Sequence, residues 1–236
     1  MRALILAAGR GERLKPLTNK IPKCLVKIKD TPLLEIILKK IEKTKIKEIF
    51  INTYYLEDQV IKFLSGYKGS LKINILKENN LKGTGGTLVD NLNFFQGQDL
   101  LVLHADNFFL ESLKTFLNAH EKRKKYMNLT LISFLTDDPK NCGICEVNSE
   151  SAITNIIEKD KNQTNKVANG AIYFFSKKSL EQLKKMKNSK IKDIVLDILP
   201  NFYGKIFNYT SKKFFIDIGI KKNYFKALKI DEKINY

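Results

Sequence analysis

Just past an apolar N-terminal run the chain reads Leu6-Ala7-Ala8-Gly9-Arg10-Gly11-Glu12-Arg13-Leu14. Two glycines and an arginine at the end of a strand are equipped to hold an anion. Small residues let the backbone come close, successive N–H groups form a concave donor set, and the guanidinium adds charge. The spacing is neither the G-x-x-x-x-G-K-[ST] phosphate loop nor the three-glycine dinucleotide fingerprint, so alone it is a weak signal. Lys23 follows Pro22, whose ring stiffens the stretch. Asp106 and Asp217 each end an apolar run, where a bare carboxylate is costly unless it is paired, caps a turn or coordinates a cation. Cys142 and Cys145 form a C-x-x-C, but no second pair follows, the two histidines are His104 and His120, and Gly143 between the cysteines sits in a strand. That pattern reads as structural rather than as a redox or zinc site. Neither histidine has an evident carboxylate partner nearby in sequence, so no His-based general base is expected.

The elements that must position these residues alternate. Ala3 to Ala8 reads as a fully buried strand. Leu33 to Lys43 has helical spacing, Glu48 to Thr53 is β-branched, Val60 to Leu64 is helical, Leu71 to Leu76 alternates as a strand, Gly86 to Leu92 opens a helix, and Leu100 to His104 is again buried. Strands alternating with helices imply an α/β fold: a mostly parallel, Rossmann-like central sheet with flanking helices. In such a sheet, ligands bind beyond the carboxyl ends of the strands, where the glycine-rich turn lies. From Leu129 onward strands succeed one another (Leu129 to Leu135, Gly143 to Val147, Ala152 to Glu158, Ala171 to Phe175), which predicts a small antiparallel extension. Helices at Lys178 to Met186 and Ile191 to Leu199 and a strand at Lys213 to Ile218 complete the reading. Residues 1–236 are expected to form one domain with two halves, 1–110 and 111–236.

Composition bounds the function. With 236 residues and 43% hydrophobic residues, the chain is an ordinary globular one and not a disordered basic tail. No apolar run is long enough to cross a bilayer, and Met1 to Ala8 is too short for a signal peptide, so a cytoplasmic protein without membrane partners is expected. The formal charge of +17 suggests nucleic acid. Yet four of the 42 basic residues are arginines and the lysines are scattered, which is the pattern of a solvated surface. No nucleic-acid partner is expected.

Pro16-Leu17-Thr18, Ile21-Pro22-Lys23-Cys24-Leu25 and Thr31-Pro32-Leu33-Leu34 continue the glycine-rich segment. Together these stretches resemble the signature of the sugar-1-phosphate nucleotidyltransferases, L-A-A-G-x-G-x-R-L-x-P-L-T, then P-K-x-L and P-L-L. Leu81-Lys82-Gly83-Thr84-Gly85-Gly86 matches the family's G-T-G-G, and Leu103-His104-Ala105-Asp106 stands at its G-D or A-D. Cys142 to Val147 looks like Y-G-x-V-x-x, Ile157-Glu158-Lys159 matches I-x-E-K, Asn169 to Tyr173 matches N-x-G-I-Y, and Phe215 to Gly219 matches W-x-D-I-G. Two positions depart: Phe215 replaces the usual tryptophan, and Ile220-Lys221 the usual Thr-Pro.

The resemblance implies that an oxygen of a phosphorylated small-molecule acceptor, most simply a sugar 1-phosphate, attacks the α-phosphorus of a nucleoside triphosphate. An NDP-sugar for surface polysaccharide or glycoconjugate synthesis forms, and pyrophosphate leaves. Positioning and charge neutralisation supply most of such a rate. It further implies that Leu6, Ala8, Gly9, Gly11, Arg13, Lys23, Gly83, Thr84 and Gly85 bind the nucleotide, with Arg13 on the leaving pyrophosphate and Lys23 on the α-phosphate or the incoming phosphate. Gly143, Glu158, Lys159 and Asn169 take the acceptor, and Asp106 and Asp217 hold Mg²⁺ through oxygen, so that the resemblance makes 1–110 the nucleotide-binding half and 111–236 the acceptor-binding half. Arg13, Lys23 and Asp106 form the catalytic set. GTP is favoured, with CTP and UTP open. Asp106-Asn107 keeps a CTP-dependent cytidylyltransferase acting on a phospho-amino alcohol as the alternative. A nucleotide sensor on the same fold would not need both carboxylates. The short stretch after Ile230 is read as leaving no room for a β-helix domain, and the oligomeric state is open, a homo-oligomer included.

Overall fold

The computed structural model describes residues 1–186 and 190–230. In chain order come β1 (Arg2–Leu6), β2 (Lys27–Ile28), β3 (Thr31–Pro32), α1 (Leu33–Glu42), β4 (Glu48–Thr53), α2 (Glu57–Ser65), β5 (Lys72–Lys77) and α3 (Gly83–Asp90). Then follow β6 (Leu100–His104), β7 (Asn107–Phe109), α4 (Leu113–Lys122), β8 (Leu129–Leu135), β9 (Gly143–Val147), β10 (Ala152–Glu158), β11 (Val167–Phe175) and α5 (Lys177–Lys185). β12 (Ile206–Ser211), β13 (Phe215–Asp217) and α6 (Lys221–Leu228) come last. The chain forms two compact units. The first holds Met1–Leu81, Leu103–Leu113 and the described residues from Phe214 onward; the second holds Lys82–Val102 and Lys114–Lys213. No helix among the described residues is long and apolar enough to cross a membrane.

In the first unit β1, β4 and β5 are parallel neighbours, with Arg2 level with Glu48 and Glu48 level with Lys72. Ala3, Leu4 and Ile5 are fully buried, as an all-apolar strand covered on both faces must be. Each large side chain so buried contributes about 1.5–3 kcal/mol. The row at the strand starts is ionic: Glu48 bonds Lys72 at 2.7 Å and Arg2 at 2.6 Å. Lys72, with Arg2, holds the Glu48 carboxyl down to about 2. β5 lies at the end of the strand order and has Lys72 and Lys77 exposed at its two ends. α1 buries Leu33, Leu34, Ile37, Leu38 and Ile41, and pairs Glu35 with Lys39 at 2.7 Å on its outer side, as an i,i+4 spacing allows.

A short antiparallel ribbon pairs β7 with β13, Asn107 opposite Asp217 and Phe109 opposite Phe215. It extends one bond further at each end: Ile218 N–H donates to the Asp106 carbonyl at 3.0 Å and Leu110 N–H to the Phe214 carbonyl at 2.9 Å.

In the second unit β8 pairs parallel with β12 and antiparallel with β11, and β10 joins β12 to β9 through antiparallel pairings. The expected antiparallel extension therefore carries a parallel pair inside it. Beneath it His120 is buried, its Nδ1 2.6 Å from Thr130 Oγ1 and its ring edge-on to Phe174 at 4.2 Å.

The helix expected over Ile191 to Leu199 is not an α-helix. Ile194–Ile198 makes one π-helical turn and Leu199–Phe202 a 3₁₀ turn. Asp193 caps it, its Oδ1 accepting from Val195 N–H at 2.7 Å and Leu196 N–H at 3.1 Å, while Pro200 cannot donate within a continuing helix. The last strand is also shorter than expected, Phe215–Asp217 rather than Lys213 to Ile218. β2, β3, β7, α4, β12 and α6 are additional to the elements anticipated from sequence.

Candidate active site

The glycine-rich turn is held by the strands around it. The Leu6 carbonyl accepts from Ala105 N–H at 3.0 Å, which ties the end of β1 to the segment that carries Asp106. Ala7 N–H donates to Asn52 Oδ1 at 2.6 Å, and Asn52 in turn donates to Glu78 Oε1 at 3.0 Å. Asn52 and Glu78 are buried, so a polar network at the ends of β4 and β5 fixes where β1 lets go. Gly9 lies beyond it with open space where a Cβ would point. Gly11 has a left-handed φ of 65° and a would-be Cβ 2.8 Å from Thr18 Cγ2, two reasons for glycine there. Buried Thr18 closes the turn by donating to the Gly11 carbonyl at 2.8 Å. The 3₁₀ turn Glu12–Leu14 then buries Leu14 and turns Arg13 outward, its side chain 61% exposed.

Beside the turn, four charged groups meet. Lys23 donates to Asp106 Oδ2 and stands 3.7 Å from Asp217 Oδ1, while Arg13 Nη2 lies 3.9 Å from Asp217 Oδ2. Partial burial works against charge on Asp106, Asp217 and Lys23, and their neighbours decide the outcome. Burial pushes Asp106 up, but Lys23 and then His104 carry it below the usual carboxylate range. Burial and the Asp106 charge together raise Asp217. Burial pulls Lys23 down, and the two carboxylates outweigh it and raise it. Gly219 covers the cluster. Its amide donates to Asp217 Oδ1 at 2.6 Å, and a Cβ there would meet Asp217 Oδ1 and Lys23 Nζ at 2.8 Å and Arg13 Nη2 at 3.0 Å.

Two carboxylates, one raised by the charge of the other and 47% exposed, make an oxygen donor set that suits a hard divalent ion retaining water or phosphate ligands. Among the described residues no three or more His, Cys, Asp or Glu side chains gather into a cage. An ion at Asp106 and Asp217 would draw its remaining ligands from substrate and water. Cys24, next to Lys23, is buried with its thiol pushed up to about 12 by burial, and Cys145 is raised by burial to the same value.

In the second unit the G-T-G-G segment packs on the backbone of Lys192 and Asp193. Gly83, at a φ of 77°, has the Lys192 carbonyl where a Cβ would be, and a Cβ on Gly85 would lie 2.8–2.9 Å from Asp193 backbone atoms. Gly85 N–H donates to the Lys192 carbonyl at 2.8 Å, and Thr84 Oγ1 accepts from Ile194 N–H at 2.9 Å. α3 starts at Gly83, a turn earlier than expected, and its first amides are satisfied by this loop, as helix starts require.

The residues expected to take the acceptor lie across three neighbouring strands. Glu158 of β10 is level with Gly143 of β9, and Ala168 of β11 is level with Ile144, which brings Asn169 next to Gly143. Gly143 has no Cβ because the Glu158 carboxylate occupies that space. Burial and then Asp193 raise the Glu158 carboxyl, against Lys159. Lys159 has a left-handed φ of 50°, a strain that a lysine tolerates only where its surroundings impose it. Asn169 holds a bulge in β11: its Oδ1 accepts from Ala171 N–H at 2.9 Å and its Nδ2 donates to Tyr173 OH at 3.1 Å.

Residues 2–234 match the family described as nucleotidyl transferase. The chain belongs to the nucleotidyl transferase family. It is 31% identical over 226 residues to the "Bifunctional protein GlmU" of Methanococcus maripaludis, a match covering 93% of this chain and 51% of that protein. The chain thus spans about half the length of the curated GlmU relatives it matches. It is 25% identical over 229 residues to the D-glycero-alpha-D-manno-heptose 1-phosphate guanylyltransferase of Campylobacter jejuni, covering 97% of this chain and 99% of that one. The crystal structure of HddC from Yersinia pseudotuberculosis superposes with a TM-score of 0.81 at 27% identity, covering 97% of this chain and 98% of the other. HddC has also been solved with GMP-PN, with a TM-score of 0.80.

Within this nucleotidyl transferase fold, Arg13, Lys23, Asp106 and Asp217 converge in the first unit, and Gly143, Glu158 and Asn169 in the second. Sequence reading missed Gly219, Asp193 and the Asn52–Glu78 pair. Gly219 was in view as the end of Phe215-Ile216-Asp217-Ile218-Gly219 but carried no stated reason to be small. Asp193 could have been read as a cap from its place before an apolar run.

Proposed function

We propose that the protein transfers a nucleotidyl group from a nucleoside triphosphate, GTP favoured, to a sugar 1-phosphate, releasing pyrophosphate and an NDP-sugar for glycoconjugate or surface polysaccharide synthesis. The observation that carries this reading is Lys23 set between Asp106 and Asp217 with Arg13 beside them, at the mouth of a glycine-rich turn. A sensor would need to hold a nucleotide but would have no use for a second carboxylate raised by the first. The guanylyltransferase relative and the GMP-PN complex of HddC support the lean to GTP.

The attacking phosphate is already anionic, so the chain need not supply a general base. Gly9 leaves its backbone open to an approaching phosphate. Arg13, exposed at its tip, is suited to the leaving pyrophosphate, whose charge grows as the bond breaks. Lys23 offers its ammonium to the α-phosphate or the incoming phosphate. Asp106 and Asp217 would hold Mg²⁺, which when bound neutralises phosphate charge as a Lewis acid. In the second unit Lys159 grips the acceptor phosphate and Glu158 accepts hydrogen bonds from sugar hydroxyls. A nucleoside triphosphate supply places this work in the cytoplasm.

The test is pyrophosphate release from a panel of GTP, CTP, UTP, dTTP and ATP, each offered hexose and heptose 1-phosphates, phosphocholine and phosphoethanolamine. The expected result is turnover with GTP and a sugar 1-phosphate, dependent on Mg²⁺ and abolished in Asp106→Asn with the fold intact. Turnover with CTP and a phospho-amino alcohol would replace this proposal, and undiminished release by Asp106→Asn would sink the site.

A further inference from the structure

Helix α1 buries a lysine. Lys40 is 4% exposed, and a buried ammonium is costly unless something takes its charge. Its Nζ lies 5.2 Å from the centroid of the Phe109 ring and donates to the Glu111 carbonyl at 3.3 Å. Burial holds its pKa down to about 8, with Glu111 pulling it up and Lys43 pushing it lower. The Phe109 ring also stacks on Phe215, centroids 5.5 Å apart and planes 19° from parallel. Phe109 and Phe215 are cross-strand partners in the β7–β13 ribbon. Asp106 and Asp217 stand at the other end of that ribbon, joined by the bond from Ile218 N–H to the Asp106 carbonyl.

The ribbon is too short to hold a register by itself, since two short strands without further packing are marginal in water. Something must fix it, because Asp217 faces Asn107 and so neighbours Asp106 only while that register holds. A cation over an aromatic face, anchored at the same time to a carbonyl two residues on, does this with direction as well as attraction. An apolar side chain at position 40 would fill the space and supply neither.

We propose that Lys40 is a positioning residue for the Asp106–Asp217 pair: gripping Phe109 and the Glu111 carbonyl from α1, it sets the register of the β7–β13 ribbon and hence the separation of the two carboxylates. The inference rests on those carboxylates being the metal-binding pair of the proposed reaction. It concerns a residue that touches neither substrate nor metal, so its effect falls on metal affinity before it falls on the other substrates.

Mn²⁺, which replaces Mg²⁺ and is read directly by electron paramagnetic resonance, allows a test that needs no turnover. Lys40→Met should weaken Mn²⁺ binding by about tenfold, the low end of what outer residues around a metal site contribute. The Mg²⁺ concentration for half-maximal rate should rise in step, while at saturating Mg²⁺ the KM values for triphosphate and acceptor stay within about twofold. Phe109→Leu keeps the apolar bulk, removes the ring face, and should reproduce the same split, so the proposal survives scrutiny even if Lys40→Met folds poorly. Mn²⁺ affinity unchanged in a folded Lys40→Met or Phe109→Leu overturns it, as does an equal rise in all three constants. Mn²⁺ binding indifferent to Asp106→Asn overturns it too, by removing the pair that Lys40 is said to position. A wild-type protein that binds Mn²⁺ through Asp106 yet transfers no nucleotide would defeat the proposed reaction alone, and the Lys40 comparison would still decide.

Discussion

The amide of Gly219 donates to Oδ1 of Asp217 at 2.6 Å, and the atoms a side chain at 219 would strike are Asp217 Oδ1, Lys23 Nζ and Arg13 Nη2. All three are far ends of side chains and can move aside at little cost to the fold. They are also the groups to which the chemistry is assigned. Gly219→Ala should therefore lower kcat/KM by about 10- to 100-fold, as small misplacements of positioned groups do. Its Tm should shift by no more than about 2–4 °C. Steady-state kinetics beside thermal unfolding checks both halves, and a loss of stability without loss of rate would contradict the assignment.

Lys159 separates the two substrates. Removing a charged donor from a phosphate costs about 1.5–3 kcal/mol. Lys159→Ala should raise the acceptor KM by at least about tenfold and leave that of the triphosphate within about twofold. Isothermal titration with each substrate alone gives the same comparison without turnover, and equal weakening of both would remove Lys159 from the acceptor site.

Gly9 and Gly85 are small for different reasons, and alanine should tell them apart. A Cβ on Gly85 meets the backbone of Asp193 at 2.8–2.9 Å, which cannot step aside as a side-chain tip can. Gly85→Ala should cost about 1–3 kcal/mol of unfolding free energy, the usual penalty for overpacking. Gly9 has nothing within 4 Å, so Gly9→Ala should leave stability unchanged and weaken triphosphate binding. Denaturant titrations of the two variants decide it.

Acid sensitivity should trace to His120. Burial, then the charge of Arg123, holds its imidazole down to about 3, whereas in the unfolded chain it protonates near its ordinary value of about 6.5. The unfolded state therefore takes up the proton first as the pH falls. The stabilisation is complete above about 6.5 and drains away between there and about 3. His120→Gln should flatten the fall in Tm between about pH 7 and about pH 4. A slope identical to wild type would show that other groups carry the acid transition.

The parallel strands were legible because burial on both faces writes itself as unbroken apolar runs, as in Ala3 to Ile5 of β1. α4 left a signal too, in Leu113, Phe116 and Leu117, all buried, but the polar residues between and after them, Lys114, Thr115 and Asn118, hide the stripe. α6 left almost none, since Ala227 is its one buried residue. The site divides in the same way. Arg13, Lys23, Asp106 and Asp217 were found from motif context, because side chains that act on phosphate are constrained in type and spacing. That Lys23 would be shared between two carboxylates, or that Gly83 and Gly85 would be small for the sake of Lys192 and Asp193, depends on segments far apart in sequence, and no local pattern records it. The helix expected from Ile191 begins instead after Asp193, which caps Val195 and Leu196, and the Ile194 amide is taken by Thr84, a partner far away in sequence.

The outer side of β5 is a ready-made docking rail for any extended chain, since among the described residues its backbone groups there face no neighbouring strand of the sheet. Ile75, partway along, is 38% exposed and would welcome such a visitor. Lys72 and Lys77, paired with Glu48 and Glu57 yet exposed, stand at its two ends, and a second copy arriving there carries a net charge of +17 of its own. Natural sheets commonly use lysine in this way to stop edge-to-edge polymerisation. At this edge lysine thus stands apart from phosphate chemistry, as the kind of side chain that keeps a sheet finite.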